Sequence, residues 1–161
     1  MTGRSFREVS FIDVALVENI AVVQPAHLYG SSIVDDVLVR PFTDIQKGVK
    51  ISARIEVQCH AFICEKVEIG EDCFIDHEVM FINDVFATGR PVGDKCELWR
   101  STRIGHRVSN GSNSTLLPVE ICSDVVIGAD DVITQNITKS GAYSDNPARL
   151  LRAPLYKQMT D

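Results

Sequence analysis

The sequence predicts an all-β chain whose short strands are wound three to a turn and stacked into a prism. Two observations carry this. Stepping by six from Ile33 gives Val39, Ile45, Ile51, Val57, Ile63, Ile69, Ile75 and Phe81, and every one of these is a large apolar residue. With 45% hydrophobic residues in the chain, such a run arises by chance in roughly one register in a thousand. Two residues before each stands a small or branched side chain: Ser31, Val37, Thr43, Val49, Ile55, Ala61, Val67, Cys73 and Val79. A helix demands spacings of three and four, so a sustained period of six excludes it. Strand alternation puts positions i−2 and i on one face. The phase survives over this length if each hexad is one strand plus one corner and three hexads close a turn. Stacked turns then repeat at about 4.8 Å, and the paired positions fill the interior.

The elements follow in order within a single domain, residues 1–161. Residues 1–30, with VALVENIAVV, are expected to form an N-terminal cap or an irregular first coil, because an uncovered solenoid end exposes strand edges. Residues 31–83 are the hexapeptide coils. Residues 84–101, DVFATGRPVGDKCELWRS, break the phase and read as an inserted loop carrying the site. Residues 102–137 resume it through Ile104, Asn110 and Leu116, then Ile121, Ile127 and Ile133, with a step of five between Leu116 and Ile121. Residues 138–161 are a closing segment and a short C-terminal helix or arm broken at Pro154.

Composition narrows the function. A net charge of -6 and no block of Lys or Arg argue against nucleic acid as a partner. Glu8, Asp13 and Glu18 interrupt the apolar N-terminal stretch, so no export signal is read there, and no segment approaches a membrane span. Five cysteines, odd in number and without CxxC spacing, read as reduced thiols of a cytoplasmic protein.

The C-terminal repeats carry further motifs. Val126-Ile127-Gly128-Ala129 and Val132-Ile133-Thr134-Gln135 precede Asn146-Pro147-Ala148-Arg149, and together they resemble the closing "IGAGSVVTKDV … GNPAR" of the hexapeptide-repeat acyltransferases. STLLPVEI, residues 114–121, resembles that family's "ATILPGVTI". The resemblance spans residues 31–150 and implies a left-handed parallel β-helix with three hexads per coil; the handedness comes from the resemblance alone. MFIND followed by a loop with Arg90-Pro91 looks most like the N-acetyltransferases that act on nucleotide-linked 3-amino sugars for lipopolysaccharide or other surface glycans. These carry Asn at the position where sugar O-acetyltransferases carry His.

What the resemblance implies is specific. Acetyl-CoA is the acyl donor, a nucleotide-linked amino sugar the acceptor, and a cyclic homotrimer the assembly, with sites between subunits. Asn83, at the edge where the repeat stops, would accept a hydrogen bond from the amine and aim its lone pair at the thioester carbon. Asp84 would attract the amine or tune it. His106 follows the loop and would face the cleft. Phe81 and Arg90 would meet the acceptor, and Lys139, Arg149 and Arg152 the phosphates of coenzyme A.

Plainer readings stand beside these. Asn83 and Asp84 also suit a turn, and the basic residues also suit an ordinary surface. His60 and His77 fall at outward corners. No metal is expected: the γ-class carbonic anhydrases are similar in fold but need three histidines, including a pair four residues apart that is missing here. A sugar O-acyltransferase using His106 and a noncatalytic β-helix for assembly or binding are the alternative functions. Three positions depart from the family pattern: Val119 and Asp145 replace glycines, and Asn110 occupies a core position.

Overall fold

The computed structural model describes residues 11–16, 19–93 and 95–153. Strands succeed one another three to a coil. The first coil is β1 (Phe11–Ile12), β2 (Ala15–Leu16) and β3 (Ala21–Val22), and the second is β4 (His27–Tyr29), β5 (Ser32–Ile33) and β6 (Val37–Val39). The third is β7 (Asp44–Ile45), β8 (Lys50–Ile51) and β9 (Ile55–Val57), and the fourth is β10 (Phe62–Ile63), β11 (Val67–Ile69) and β12 (Phe74–Ile75). β13 (Met80–Phe81) opens the fifth; the loop intervenes, and β14 (Thr102–Ile104) and β15 (Val108–Asn110) complete it. β16 (Thr115–Leu116), β17 (Glu120–Ile121) and β18 (Val125–Ile127) make the sixth. The seventh has β19 (Val132–Ile133), a bridge from Ile137 to Ile121, and β20 (Gly141–Ser144), on which β21 (Arg149–Arg152) folds back antiparallel.

Three parallel sheets result. The first face is β1-β4-β7-β10-β13-β16-β19, the second β2-β5-β8-β11-β14-β17, and the third β3-β6-β9-β12-β15-β18-β20 with β21 at its end. Like residues stack: Ile33 on Ile51, Ile51 on Ile69, and Ile69 on Ile104 across the loop. The nine core positions from Ile33 to Phe81 are at most 2% exposed, and their nine companions at most 3%. Burying each large aliphatic side chain is worth about 1.5–3 kcal/mol, so the hexad pattern is the fold's main source of stability.

The corners have a rule of their own. Gly30, Asp36, Phe42, Gly48, Arg54, His60, Lys66, Asp72 and Glu78 recur every six residues, and all have φ between 56° and 77°. Each corner thus turns through one left-handed residue, although only two of the nine are glycine. Pro118 falls at the equivalent place before Ile121, and its ring holds φ near −65°. It cannot take the left-handed turn, and that corner is one residue shorter.

Strands begin at Phe11, and residues 11–16 and 19–29 form the first coil and open the second; residues 1–10, 17 and 18 lie outside the described residues. At the other end, residues 141–152 form a hairpin, not a helix, because β21 covers the otherwise open edge of β20. Residues 154–161, the rest of the expected helix or arm, lie outside the described residues. No helix among the described residues is long and apolar enough to cross a membrane.

Candidate active site

The loop leaves from the edge between the first and second faces. Ile82 still donates to the Leu116 carbonyl at 2.9 Å, so the ladder holds to the last residue before Asn83. The loop mouth is then tied shut by the Arg100 amide donating to the Asn83 carbonyl at 3.0 Å. Lys66, the left-handed corner residue one coil below, donates through Nζ to the carbonyls of Cys96 (2.8 Å) and Trp99 (2.9 Å). It thereby satisfies the end of the single helical turn in the loop, Cys96–Leu98. Sequence reasoning missed Lys66, because nothing in a hexad corner announces a partner thirty residues on.

Asn83 is half-buried, and its Nδ2 donates to the Glu65 carbonyl at 3.3 Å. With the amide nitrogen turned to the scaffold, Oδ1 makes no hydrogen bond among the described residues and remains an available acceptor. Asp84 is used otherwise: Oδ1 accepts from the Phe86 amide (2.8 Å) and Oδ2 from the Val92 amide (3.0 Å). Its carboxylate shapes the loop, as an Asx turn does. Arg90 is exposed at the loop tip.

Phe81 requires correction. It occupies a core position and is 0% exposed, so it cannot touch an acceptor; the strand's inward phase, the same phase that built the repeat, turns it away from the site.

His106 lies on the other edge of the second face, between that face and the third. Its ring is exposed, and Nδ1 accepts from the Glu71 amide at 3.0 Å. The proton therefore sits on Nε2, which makes the outward nitrogen a donor rather than a base. Gly105 permits this placement: a Cβ there would stand 2.6 Å from the Ser123 amide nitrogen. His77 is exposed and bonded to Asp76 at 2.7 Å, and His60 stacks on Phe42 with centroids 4.8 Å apart.

Lys139 is exposed in the segment between the Ile137 bridge and β20, on the same edge as His106. Arg149 and Arg152 are exposed on β21, paired with Ser144 and Ala142. Those two partners are two residues apart and share a side of the strand, and a bulge at Leu151 keeps both arginines opposite them. The bulge therefore sends two guanidinium groups, three residues apart in sequence, to one side of the hairpin. Asp145, standing where the family pattern has glycine, keeps a glycine-like φ of 115°. Among the described residues, no group of three or more His, Cys, Asp or Glu is placed to hold a metal ion. Burial pushes the Cys64 thiol up to about 12 and the Cys73 thiol up to about 11, which removes both as nucleophiles.

Five of the sequence-predicted residues thus fall into two groups on opposite edges of the second face. Asn83, Asp84 and Arg90 share one edge with the loop; His106 and Lys139 share the other. One chain does not bring the two groups together.

Solved structures match this architecture. A mutant of AntD, an N-acyltransferase from Bacillus cereus, in complex with dTDP and coenzyme A, superposes with a TM-score of 0.67 at 19% identity, over 94% of this chain and 88% of that one. A second AntD mutant with the same ligands gives 0.69 at 17% identity, over 92% and 85%. The polySia-specific acetyltransferase NeuO gives 0.52 at 20% identity, over 91% and 83%. This chain shares their fold. No protein-family model matches the sequence, and no curated protein does.

Proposed function

We propose that this protein is an acyl-CoA-dependent N-acyltransferase acting on a nucleotide-linked amino sugar, with Asn83 as the residue that orients the amine. The observation that carries the reading is Asn83 itself. The scaffold ladder runs up to it, the loop closes on it, and its amide nitrogen is held so that Oδ1 is left to accept. A neutral amine is already a good nucleophile, so orientation supplies much of the acceleration and a strong base is not required. Oδ1 accepting one amine hydrogen aims the nitrogen lone pair at the thioester carbon. Asp84 acts through the loop as a positioning residue. AntD, whose fold this chain shares, has been crystallised with dTDP-4-amino-4,6-dideoxyglucose and coenzyme A, which supports both substrate classes.

The exposed cations suit the donor. Arg149 and Arg152, on one side of the hairpin, fit the phosphates of coenzyme A, with Lys139 at the neighbouring edge. Acetyl is the acyl group we favour, and surface-glycan or lipopolysaccharide synthesis in the cytoplasm the setting; the five unpaired cysteines are consistent with a reducing compartment. The separation of the two groups supports a cyclic homotrimer. A heterologous contact that closes into a ring sets one edge of each copy against the other edge of the next, and this joins Asn83 and the loop of one subunit to His106 and Lys139 of its neighbour. Hydroxyl transfer is the weaker reading, because the outward nitrogen of His106 already carries its proton.

The test is transfer from acetyl-CoA to a panel of nucleotide-linked amino sugars, with oligomeric state followed by light scattering. Asn83→Ala should keep the assembly and lower kcat about a hundredfold or more. Full activity in Asn83→Ala, with loss in His106→Ala, would overturn the assignment in favour of hydroxyl transfer.

A further inference from the structure

Above the loop, the edge between the first and second faces is recessed. Below it, the step from one face to the next is six residues, from Ile45 to Ile51 and from Ile63 to Ile69; above it, the step falls to five, from Leu116 to Ile121, and four, from Ile133 to Ile137. Shortened corners draw the chain inward while the loop base stands out beside them. The result is a cavity of about 420 Å³ lined by Trp99, Arg100, Ser101, Pro118, Glu120 and Asn136. That size falls in the range of small-molecule sites.

Its walls are fixed and chemically distinct. Lys66 holds the Trp99 carbonyl and Asn83 the Arg100 amide, so the backbone that carries the half-buried Trp99 is anchored to the rigid edge. Arg100 is exposed and makes no ion pair among the described residues, whereas Glu120 lies 3.7 Å from the Arg103 guanidinium. Asn136 Oδ1 accepts from the Glu120 amide at 2.9 Å, which leaves its Nδ2 as a donor. An aromatic wall, an unpaired guanidinium and an amide donor match a flat ring bearing a carbonyl and attached to a phosphate chain.

We propose that this recess binds the pyrimidine nucleoside diphosphate of the acceptor: the base against Trp99, its carbonyl on Asn136 Nδ2, and the diphosphate on Arg100. This rests on the transferase reading for the choice of acceptor over donor. The recess adjoins Asn83, and in a nucleotide sugar one sugar and a diphosphate separate the base from the reacting amine. In coenzyme A the whole pantetheine arm intervenes, and adenine offers no ring carbonyl.

Trp99 is the single tryptophan of the chain, so its fluorescence reports this site in the unaltered protein. Titration with dTDP and with UDP should give saturable quenching. Inorganic pyrophosphate and 3′,5′-ADP should give little, and Arg100→Ala should weaken dTDP about tenfold. Quenching by 3′,5′-ADP in preference to dTDP would assign the recess to the donor and overturn the proposal. Equal response to pyrophosphate would reduce it to an anion site, and silence toward all four probes would also overturn it. Transfer measured on the same samples separates the two claims. An active enzyme with silent Trp99 sinks this pocket alone, whereas nucleotide quenching in an inactive protein leaves the pocket and sinks the transferase.

Discussion

The coils below the loop and those above it are built to different standards. From Ile33 to Phe81 every core position is aliphatic or aromatic, and among the companion positions only Ser31 and Thr43 are polar. From Thr102 to Ile133 the interior admits Thr102, Asn110, Ser114 and Asp131, none more than 3% exposed. Both polar atoms of the Asn110 side chain, the hydroxyls of Thr102 and Ser114, and Asp131 Oδ2 have no partner among the described residues, against Ser31 Oγ and Asp44 Oδ1 below the loop. The two shortened corners lie in the same half. Stability is thus concentrated below the loop, and the coils that give up core quality are those beside the recess and beneath the basic hairpin. A buried polar group without a partner costs about 1–3 kcal/mol, so the difference is large enough to measure.

The strongest way to break this comparison is in the lower core. Phe81 is the largest fully buried side chain there. Phe81→Ala should cost about 3–5 kcal/mol in urea denaturation; a loss below about 1 kcal/mol would mean that the prism is not packed at that level. The upper core should respond with the opposite sign. Asn110 stacks between Ile75 and Ile127, so an isoleucine there continues the column in kind. Asn110→Ile should stabilise by about 1–2 kcal/mol. A lower unfolding midpoint in that variant would show that the amide is bonded through bridging water and belongs there.

The same comparison explains what was legible in the sequence. Below the loop the inward phase is written directly in residue type, and all nine core positions were readable. Asn110 kept its place in the phase but not its chemistry, so only stacking between two isoleucines reveals it as core. The left-handed corners were invisible because seven of the nine residues there are not glycine, and an Arg or Phe at φ above 50° has no compositional mark. At the site, Asn83 was legible as the point where the period fails. Phe81 was misread because its position beside Asn83 in sequence was allowed to outweigh its phase. The tie from Lys66 to Trp99 spans a loop closure that no periodicity encodes. Trp99 did carry a signal in the sequence, as the single tryptophan and three residues before the return of the hexads.

A smaller effect sharpens the junction between the two regions. Removing the Lys66 ammonium takes hydrogen bonds from two loop carbonyls without touching the core. Lys66→Met should cost about 1 kcal/mol globally while accelerating amide exchange across residues 95–100, a local opening well below the global one. Unchanged exchange there would show that the closure between Asn83 and Arg100 alone holds the loop.

The smallest effect concerns what the two regions share. The edge between the second and third faces carries Asp36, Arg54, Asp72, Arg107 and Asp124 at successive left-handed corners, alternating in charge up the prism. Arg54 bonds Asp72 and Glu71 at 2.6 Å each, and Arg107 bonds Asp124 at 2.6 Å. Because the loop leaves from a different edge, this ladder crosses the junction uninterrupted, with Asp72 below and Arg107 above. The hydrogen bond from Arg54, reinforced by the charges of Arg54 and Arg107, holds the Asp72 carboxyl below its usual range. A depressed folded pKa contributes stability that is present above the unfolded value, about pH 4, and is lost as pH falls through the folded one. The groups are exposed and the pairs individually weak, so the expected signature is a convergence rather than a collapse. Wild type should melt slightly above Arg54→Gln at pH 7, and the two curves should meet as the pH is lowered toward 3 or as salt is raised. A gap that persists in acid would mean that Arg54 acts through packing of its aliphatic stem at the corner, and that the two halves are joined by their backbone ladders alone.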